Sequence, residues 1–207
     1  MPCNPPHPKE MKDKKLLIFD FDGTIVDSSP IHEQAFILAL NDYQLHLEYE
    51  KVKGMRTKDA LVKIFAQNNQ VISDQGLMNL VRKKQLLSRN LFSNIILIDG
   101  FNKFFKKAQQ IYQSCIVSSA SMGSINLALN KFNLQEKFEL ILSAESVTNA
   151  KPDPEGFLHA ITELNISKAE TLIFEDSAAG FKAAENAGID CIDITKTSWA
   201  DMLDVIS

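Results

Sequence analysis

One apolar run ending in two acids, Leu16-Leu17-Ile18-Phe19-Asp20-Phe21-Asp22-Gly23-Thr24, limits what this chain can fold into more than any other stretch. Four large apolar residues in a row suit a strand buried on both faces, as in a parallel sheet; a one-sided strand would alternate. The acids then emerge at the carboxyl end, the edge where open α/β sheets gather their ligands. Asp20 and Asp22 are close enough to repel each other, which a cation or a shared proton relieves, and Gly23 lets the backbone come close to whatever binds. Solvated aspartates at a strand end are common in α/β proteins, so the pair alone does not define a site.

The pattern after Asp22 turns helical. Ser29-Pro30 reads as an N-cap with proline at the first helical position, and Phe36, Leu38, Ala39 and Leu40 give an apolar face, so a helix is expected over about 30–46. Further helices are expected from Thr57 through Phe65 and from Ser73 through Leu87. From Ile95 on, strand and helix alternate. Helices are expected over 100–112, 121–131, 154–164 (capped by Asp153) and 177–187 (ended by Gly188), and strands over 114–118, 138–142, 171–174 and 189–194. Alternation of this kind implies a doubly wound parallel sheet with helices on both faces. The expected organisation is an N-terminal lead over 1–14, an α/β core over 15–27 and 96–207, and an inserted helical domain over 28–95.

At 207 residues there is room for one domain plus a modest insertion. A net charge of −4 without a long basic run argues against a nucleic-acid backbone reader. Hydrophobic residues make up 45%, with nothing that suggests a membrane span, and the proline-rich first residues lack a signal-peptide core. Cys3, Cys115 and Cys191 have no metal-ligand spacing and read as thiols in a reducing cytoplasm. Residues 29–94 carry nine Lys and Arg against six Asp and Glu, a net +3 that leaves −7 for the remainder. A mildly positive lid over an acidic core suits an anionic ligand held beside a cation, although solvated helix surfaces give the same count.

Three later strand ends each offer a polar group: Ser118-Ser119-Ala120-Ser121, Lys151-Pro152 and Glu175-Asp176-Ser177. Singly, each has a structural use as a helix cap or a surface lysine. Together at one sheet edge they supply what phosphoryl transfer needs. Asp20 and Asp176 would hold a hard divalent cation, most plausibly Mg²⁺, while Lys151, the Ser119 hydroxyl and nearby backbone amides would bind phosphate oxygens. Asp20 would attack phosphorus, and Asp22 would protonate the leaving oxygen and later take a proton from water. An ionised Asp20 and a protonated Asp22 are compatible roles because metal and neighbouring charge push their pKa values apart.

Asp20-Phe21-Asp22-Gly23-Thr24, Ser119, Lys151 and Glu175-Asp176 resemble the four motifs of the haloacid dehalogenase-like hydrolase superfamily, in order, over Leu16 to about Ile194. The insertion resembles the helical C1 cap of the β-phosphoglucomutase-like phosphatases. The resemblance implies a Rossmann-like core, Mg²⁺ dependence, an aspartyl-phosphate and a cap that closes over a small phosphorylated metabolite. Carried over by position, Asp20 is nucleophile and metal ligand, and Asp22 is acid/base and a ligand through its carbonyl. Asp176 is the third metal ligand and Glu175 supports the metal shell. Ser119, Ala120 and Lys151 bind phosphate, and His32, Lys53 and Arg56 are candidates for the cap or substrate. A cytoplasmic monomer or weak dimer is expected.

Asp22 separates this chain from the dehalogenases and phosphonoacetaldehyde hydrolases, which lack that acid. A phosphomutase of the β-phosphoglucomutase type is the alternative. Against it, Met122 stands where the mutase pattern has lysine, and Arg56 lies one position early for the cap arginine. A non-catalytic phosphate-binding or signalling module, such as a receiver domain, is the other alternative; it needs neither Asp22 nor the insertion.

Overall fold

The computed structural model describes residues 11–206. In chain order its elements are β1 (Leu16–Phe19), β2 (Val26–Asp27), α1 (Ser29–Leu40), α2 (Thr57–Gln67), α3 (Asp74–Leu91), β3 (Ile96–Leu97), α4 (Phe101–Ala108), β4 (Gln113–Val117), α5 (Met122–Phe132), β5 (Leu140–Leu142), α6 (Glu155–Glu163), β6 (Thr171–Glu175), α7 (Ala178–Ala187), β7 (Asp190–Asp193) and α8 (Trp199–Val205). Five strands form a parallel sheet in the order β5-β4-β1-β6-β7. β1 is central, with Phe19 in register with Ile116 on one side and Phe174 on the other, so Asp20 leaves the sheet at its middle.

The two faces of β1 explain its unbroken apolar run. Leu17 and Phe19 point into one hydrophobic cluster and Leu16 and Ile18 into the other, and all four are fully buried. The first cluster is aromatic: the Phe19 ring stacks on Phe174 with centroids 5.1 Å apart and meets Phe101 and Phe105 edge-on. The second is built from small residues on α7, Ala183, Ala184 and Ala187, which let that helix lie close to the sheet.

α1, α2 and α3 form a separate hydrophobic cluster with Phe36, Leu40, Leu61, Ile64, Phe65, Leu77 and Leu80 at its centre. The chain enters and leaves this helical insertion through β2 and β3, an antiparallel pair that the sequence reading missed because each strand has only two residues. α1 ends at Leu40, passes into a 3₁₀ turn and is stopped by Gln44 in the left-handed region (φ 52°), short of the expected 46. Its N-cap is Ser28, not Ser29, and the Ser28 hydroxyl caps no amide because it bonds Asp22. The expected lead over 1–14 falls outside the described residues as far as position 10. From there Met11 is buried in the aromatic cluster, and Lys14 donates to Ala169 O at 2.9 Å and Asp190 at 2.6 Å, so the packed chain begins earlier than expected.

α8 was not anticipated at all, yet it bears on the site. Trp199 packs 4.8 Å from Phe104, and its indole N–H donates to Thr24 O at 3.1 Å, which pins the loop that follows the two aspartates. Among the described residues no helix is long and apolar enough to cross a membrane.

Candidate active site

Local chemistry at four strand ends decides which side chains face the crevice. After β6, Ser177 Oγ accepts from Gly180 N at 3.1 Å and so caps α7, a task the Asp176 carboxylate does not share. After β4, Ser121 Oγ accepts from Ser124 N and caps α5, while the Ser119 hydroxyl makes no hydrogen bond among the described residues and lines the cavity. The Ala120 amide, expected to bind phosphate, donates to Ser118 Oγ at 3.0 Å, so it is already engaged. After β1, Gly23 turns the chain at φ +89°. A Cβ there would lie 2.1 Å from Asp176 Oδ2, so only glycine lets the two loops meet.

Lys151 joins two of the expected residues and a strand carbonyl. Its ammonium donates to Asp20 at 2.6 Å, Glu175 at 2.7 Å and Val117 O at 3.0 Å, and its side chain is only 6% exposed. The other oxygen of Glu175 accepts from the amides of Asp176 and Ser177 at 2.7 and 2.9 Å. Glu175 thus supports its neighbours and is spent on internal bonds. Gly180 packs directly against it: a Cβ would fall 1.8 Å from Glu175 Oε1. Gly180→Ala is therefore expected to destabilise the protein by about 2 kcal/mol through overpacking and to lower activity by displacing Glu175 from Lys151. Urea denaturation that matches the parent would show that the contact yields freely.

Asp20, Glu175 and Asp176 offer oxygens within 4.8 Å of one another. Burial and then the charge of Glu175 hold the Asp20 carboxyl well above the usual carboxylate range, with Lys151 only partly offsetting them. Burial and Glu175 likewise raise Asp176 to about 6 against the opposing Lys53. Asp176 Oδ2 is buried without an aligned hydrogen bond, although Lys53 Nζ lies 2.7 Å away. Three buried carboxylates with an under-satisfied oxygen fit a hard divalent cation, for which all-oxygen sites are typical.

Asp22 lies in a different field. Its Oδ1 accepts from the Ser28 hydroxyl and lies 3.1 Å from His32 Nε2, and His32 Nδ1 lies 2.8 Å from Lys84 Nζ. A charged Lys84 donates to Nδ1, which leaves the His32 proton on Nε2, directed at Asp22. Burial pushes the Asp22 carboxyl up, but His32, Ser28 and Lys84 together outweigh it and hold it below the usual range. Without a cation the carboxylate trio penalises charge on Asp20, while His32 and Lys84 favour charge on Asp22; the expected order, an ionised Asp20 and a protonated Asp22, is one for the metal-bound site.

Lys84 was missed by the sequence reading. Burial pulls its ammonium down to about 8, and it also lies 4.7 Å over the Phe36 ring. The sign of its role was available: positions 77, 80, 81, 84 and 88 share one helical face, so Lys84 is a lysine on an apolar stripe.

The remaining candidates come from the insertion. Lys53 reaches Asp176, and the Arg56 guanidinium donates to Val147 O at 2.6 Å and Thr148 O at 3.0 Å on the loop after β5. Arg56 therefore fastens the insertion to the α/β body while lining the same cavity. That cavity, about 190 Å³, is walled by Asp20, Asp22, Ser119 and Ala120 on one side and by His32, Lys53 and Lys84 on the other.

Residues 17–194 match the family described as haloacid dehalogenase-like hydrolase. The chain belongs to that family and is an enzyme of its hydrolase class. Among curated proteins it is 25% identical to validoxylamine A 7′-phosphate phosphatase of Streptomyces hygroscopicus subsp. limoneus, over 91% of this chain and 89% of that one. It is 26% identical to the phosphorylated carbohydrates phosphatase of Thermotoga maritima (86% and 83% covered) and 26% identical to a fructose-1-phosphate phosphatase of Escherichia coli (86% and 95%). Its fold is that of β-phosphoglucomutase from Clostridium difficile, with a TM-score of 0.80 at 24% identity over 87% of this chain and 84% of that one.

Proposed function

We propose that this enzyme is a Mg²⁺-dependent phosphatase that hydrolyses a small phosphorylated metabolite of the sugar-phosphate kind through an aspartyl-phosphate. The observation that carries the reading is the placing of Asp20: a buried carboxylate at the end of the central strand, tied by Lys151 and facing a cavity whose opposite wall belongs to the insertion. The names of the curated relatives support the same reading.

An Asp20 oxygen attacks phosphorus as the ester P–O bond breaks, and the bonding pair passes to the leaving oxygen, which takes a proton from Asp22. A phosphate dianion beside Asp22 pushes its pKa upward, so substrate binding brings that residue toward the protonated form the leaving group needs. Water then attacks the aspartyl-phosphate, its proton goes to Asp22, and Asp20 is released as a carboxylate. Lys151 and the Ser119 hydroxyl hold phosphate oxygens. Asp20 and Asp176, with the Asp22 carbonyl, would hold the metal, which neutralises phosphoryl charge when bound. Residues 28–95 act as a cap over a core of 15–27 and 96–207, with the β2/β3 pair as its stem and Arg56 as its fastening.

The test is phosphate release from a panel of phosphorylated metabolites with Mg²⁺, with β-glucose 1-phosphate plus a trace of the 1,6-bisphosphate followed for glucose 6-phosphate. Release from one or a few sugar phosphates, stopped by EDTA and restored by Mg²⁺, is expected. Isomerisation without net release would replace the phosphatase by a mutase, and EDTA-insensitive hydrolysis would contradict the metal site.

A further inference from the structure

Two of the cations that line the cavity are held by the protein itself: Arg56 by two backbone carbonyls and Lys84 by the His32 ring. Lys53 pairs with Asp176, a carboxylate that would hold the metal, and Lys58 is exposed to solvent.

What the far wall does offer is neutral and polar. Ser88, one helical turn beyond Lys84 on α3, is 2% exposed, lines the cavity, and its hydroxyl has no hydrogen-bond partner among the described residues. A mid-helix serine ordinarily bonds back to the carbonyl four residues earlier, and Ser88 does not. Gln85 lines the same wall with its amide unpaired among the described residues. A buried hydroxyl left unsatisfied is costly unless something else bonds it. The Lys84 ammonium one turn away is turned to His32, so the groups still free to bond are those of a molecule in the cavity.

We propose that Ser88 reads a hydroxyl of the leaving group, assisted by Gln85, and that phosphate esters of hydroxylated compounds are preferred to those without such a group. This rests on the phosphatase reading above and narrows it. A site built to bond a hydroxyl discriminates against molecules that lack one, because its own polar group is then left unpaired.

The test compares the parent with Ser88→Ala on two probes: the hexose monophosphate the parent turns over fastest and p-nitrophenyl phosphate, whose leaving group has no alkyl hydroxyls. Alanine favours the helix and removes an orphaned polar group, so the variant should melt at or above the parent's temperature. Its kcat/KM for the hexose monophosphate should fall about tenfold, the effect of one neutral hydrogen bond, mainly through KM. For p-nitrophenyl phosphate it should stay within about twofold, since no bond to Ser88 exists to lose. Equal losses on the hexose ester and p-nitrophenyl phosphate, or no loss on either, would overturn the inference. If the parent cleaves only p-nitrophenyl phosphate, the inference falls while the phosphatase reading stands. If it cleaves nothing, both fall.

Discussion

Asp20→Asn should lower kcat by about 10⁴-fold or more, because in the proposed mechanism it removes the atom that forms the covalent bond to phosphorus, while the protein folds at least as well as the parent. The second half of that expectation separates a nucleophile from a structural acid. Asp20 is 7% exposed, and its pKa is raised by burial and by Glu175. An acid whose folded pKa lies above its unfolded value loses its proton more readily when unfolded, so at neutral pH its ionisation subtracts from stability. Asparagine keeps the shape and removes the charge. Lys151 retains Glu175 and the Val117 carbonyl as partners. In EDTA-treated protein the melting temperature of Asp20→Asn should therefore equal or exceed the parent's. Parent-like turnover in the variant would remove Asp20 from the nucleophile's role. A large drop in melting temperature would recast it as part of the fold.

How much of this was readable from sequence differs between the body and the insertion. The parallel sheet could be read because β1 is apolar on both faces and each later strand ends in a polar cluster, so periodicity and topology agreed. The acidic centre could be read for the same reason: Asp20, Lys151, Glu175 and Asp176 each follow a strand, and parallel strands bring their carboxyl ends to one edge. What remained unreadable depends on pairings between distant segments. β2 and β3 are too short to show a pattern, and α8 declares its importance only through the Trp199 bond to Thr24. Lys84 looks like an ordinary surface cation, and the fastening bonds of Arg56 stay hidden, until the insertion is docked. One then meets a histidine from α1 and the other two carbonyls on the body. The Ser118 bond to the Ala120 amide and the His32 bond to Asp22 are likewise pairings that motif spacing does not show.

Lys151→Met is the substitution from which the largest loss of stability is expected, about 3–5 kcal/mol by urea denaturation at neutral pH in EDTA, because it leaves two buried carboxylates without their shared cation. Methionine fills similar volume, so the loss reports on charge and hydrogen bonding, not on a cavity. The Lys151 ammonium is held well above its ordinary pKa: burial opposes the charge, but Asp20 and Glu175 outweigh it. A lysine with a raised folded pKa contributes stability that is fully present below the unfolded value of about 10.4 and is lost as pH rises through the folded pKa. The parent's dependence on Lys151 should therefore be flat through neutral pH and decline only in strong base. In the variant the carboxylates dominate, and lowering the pH toward and below the Asp176 value of about 6 should restore part of the loss as the cluster takes up protons. Adding Asp20→Asn to Lys151→Met should recover part of it too, by removing one of the two stranded charges, and the double-mutant coupling then measures the pair directly. A loss below about 1 kcal/mol, in the range of an exposed pair, would mean that water reaches the cluster and that Lys151 is not what holds the carboxylates together.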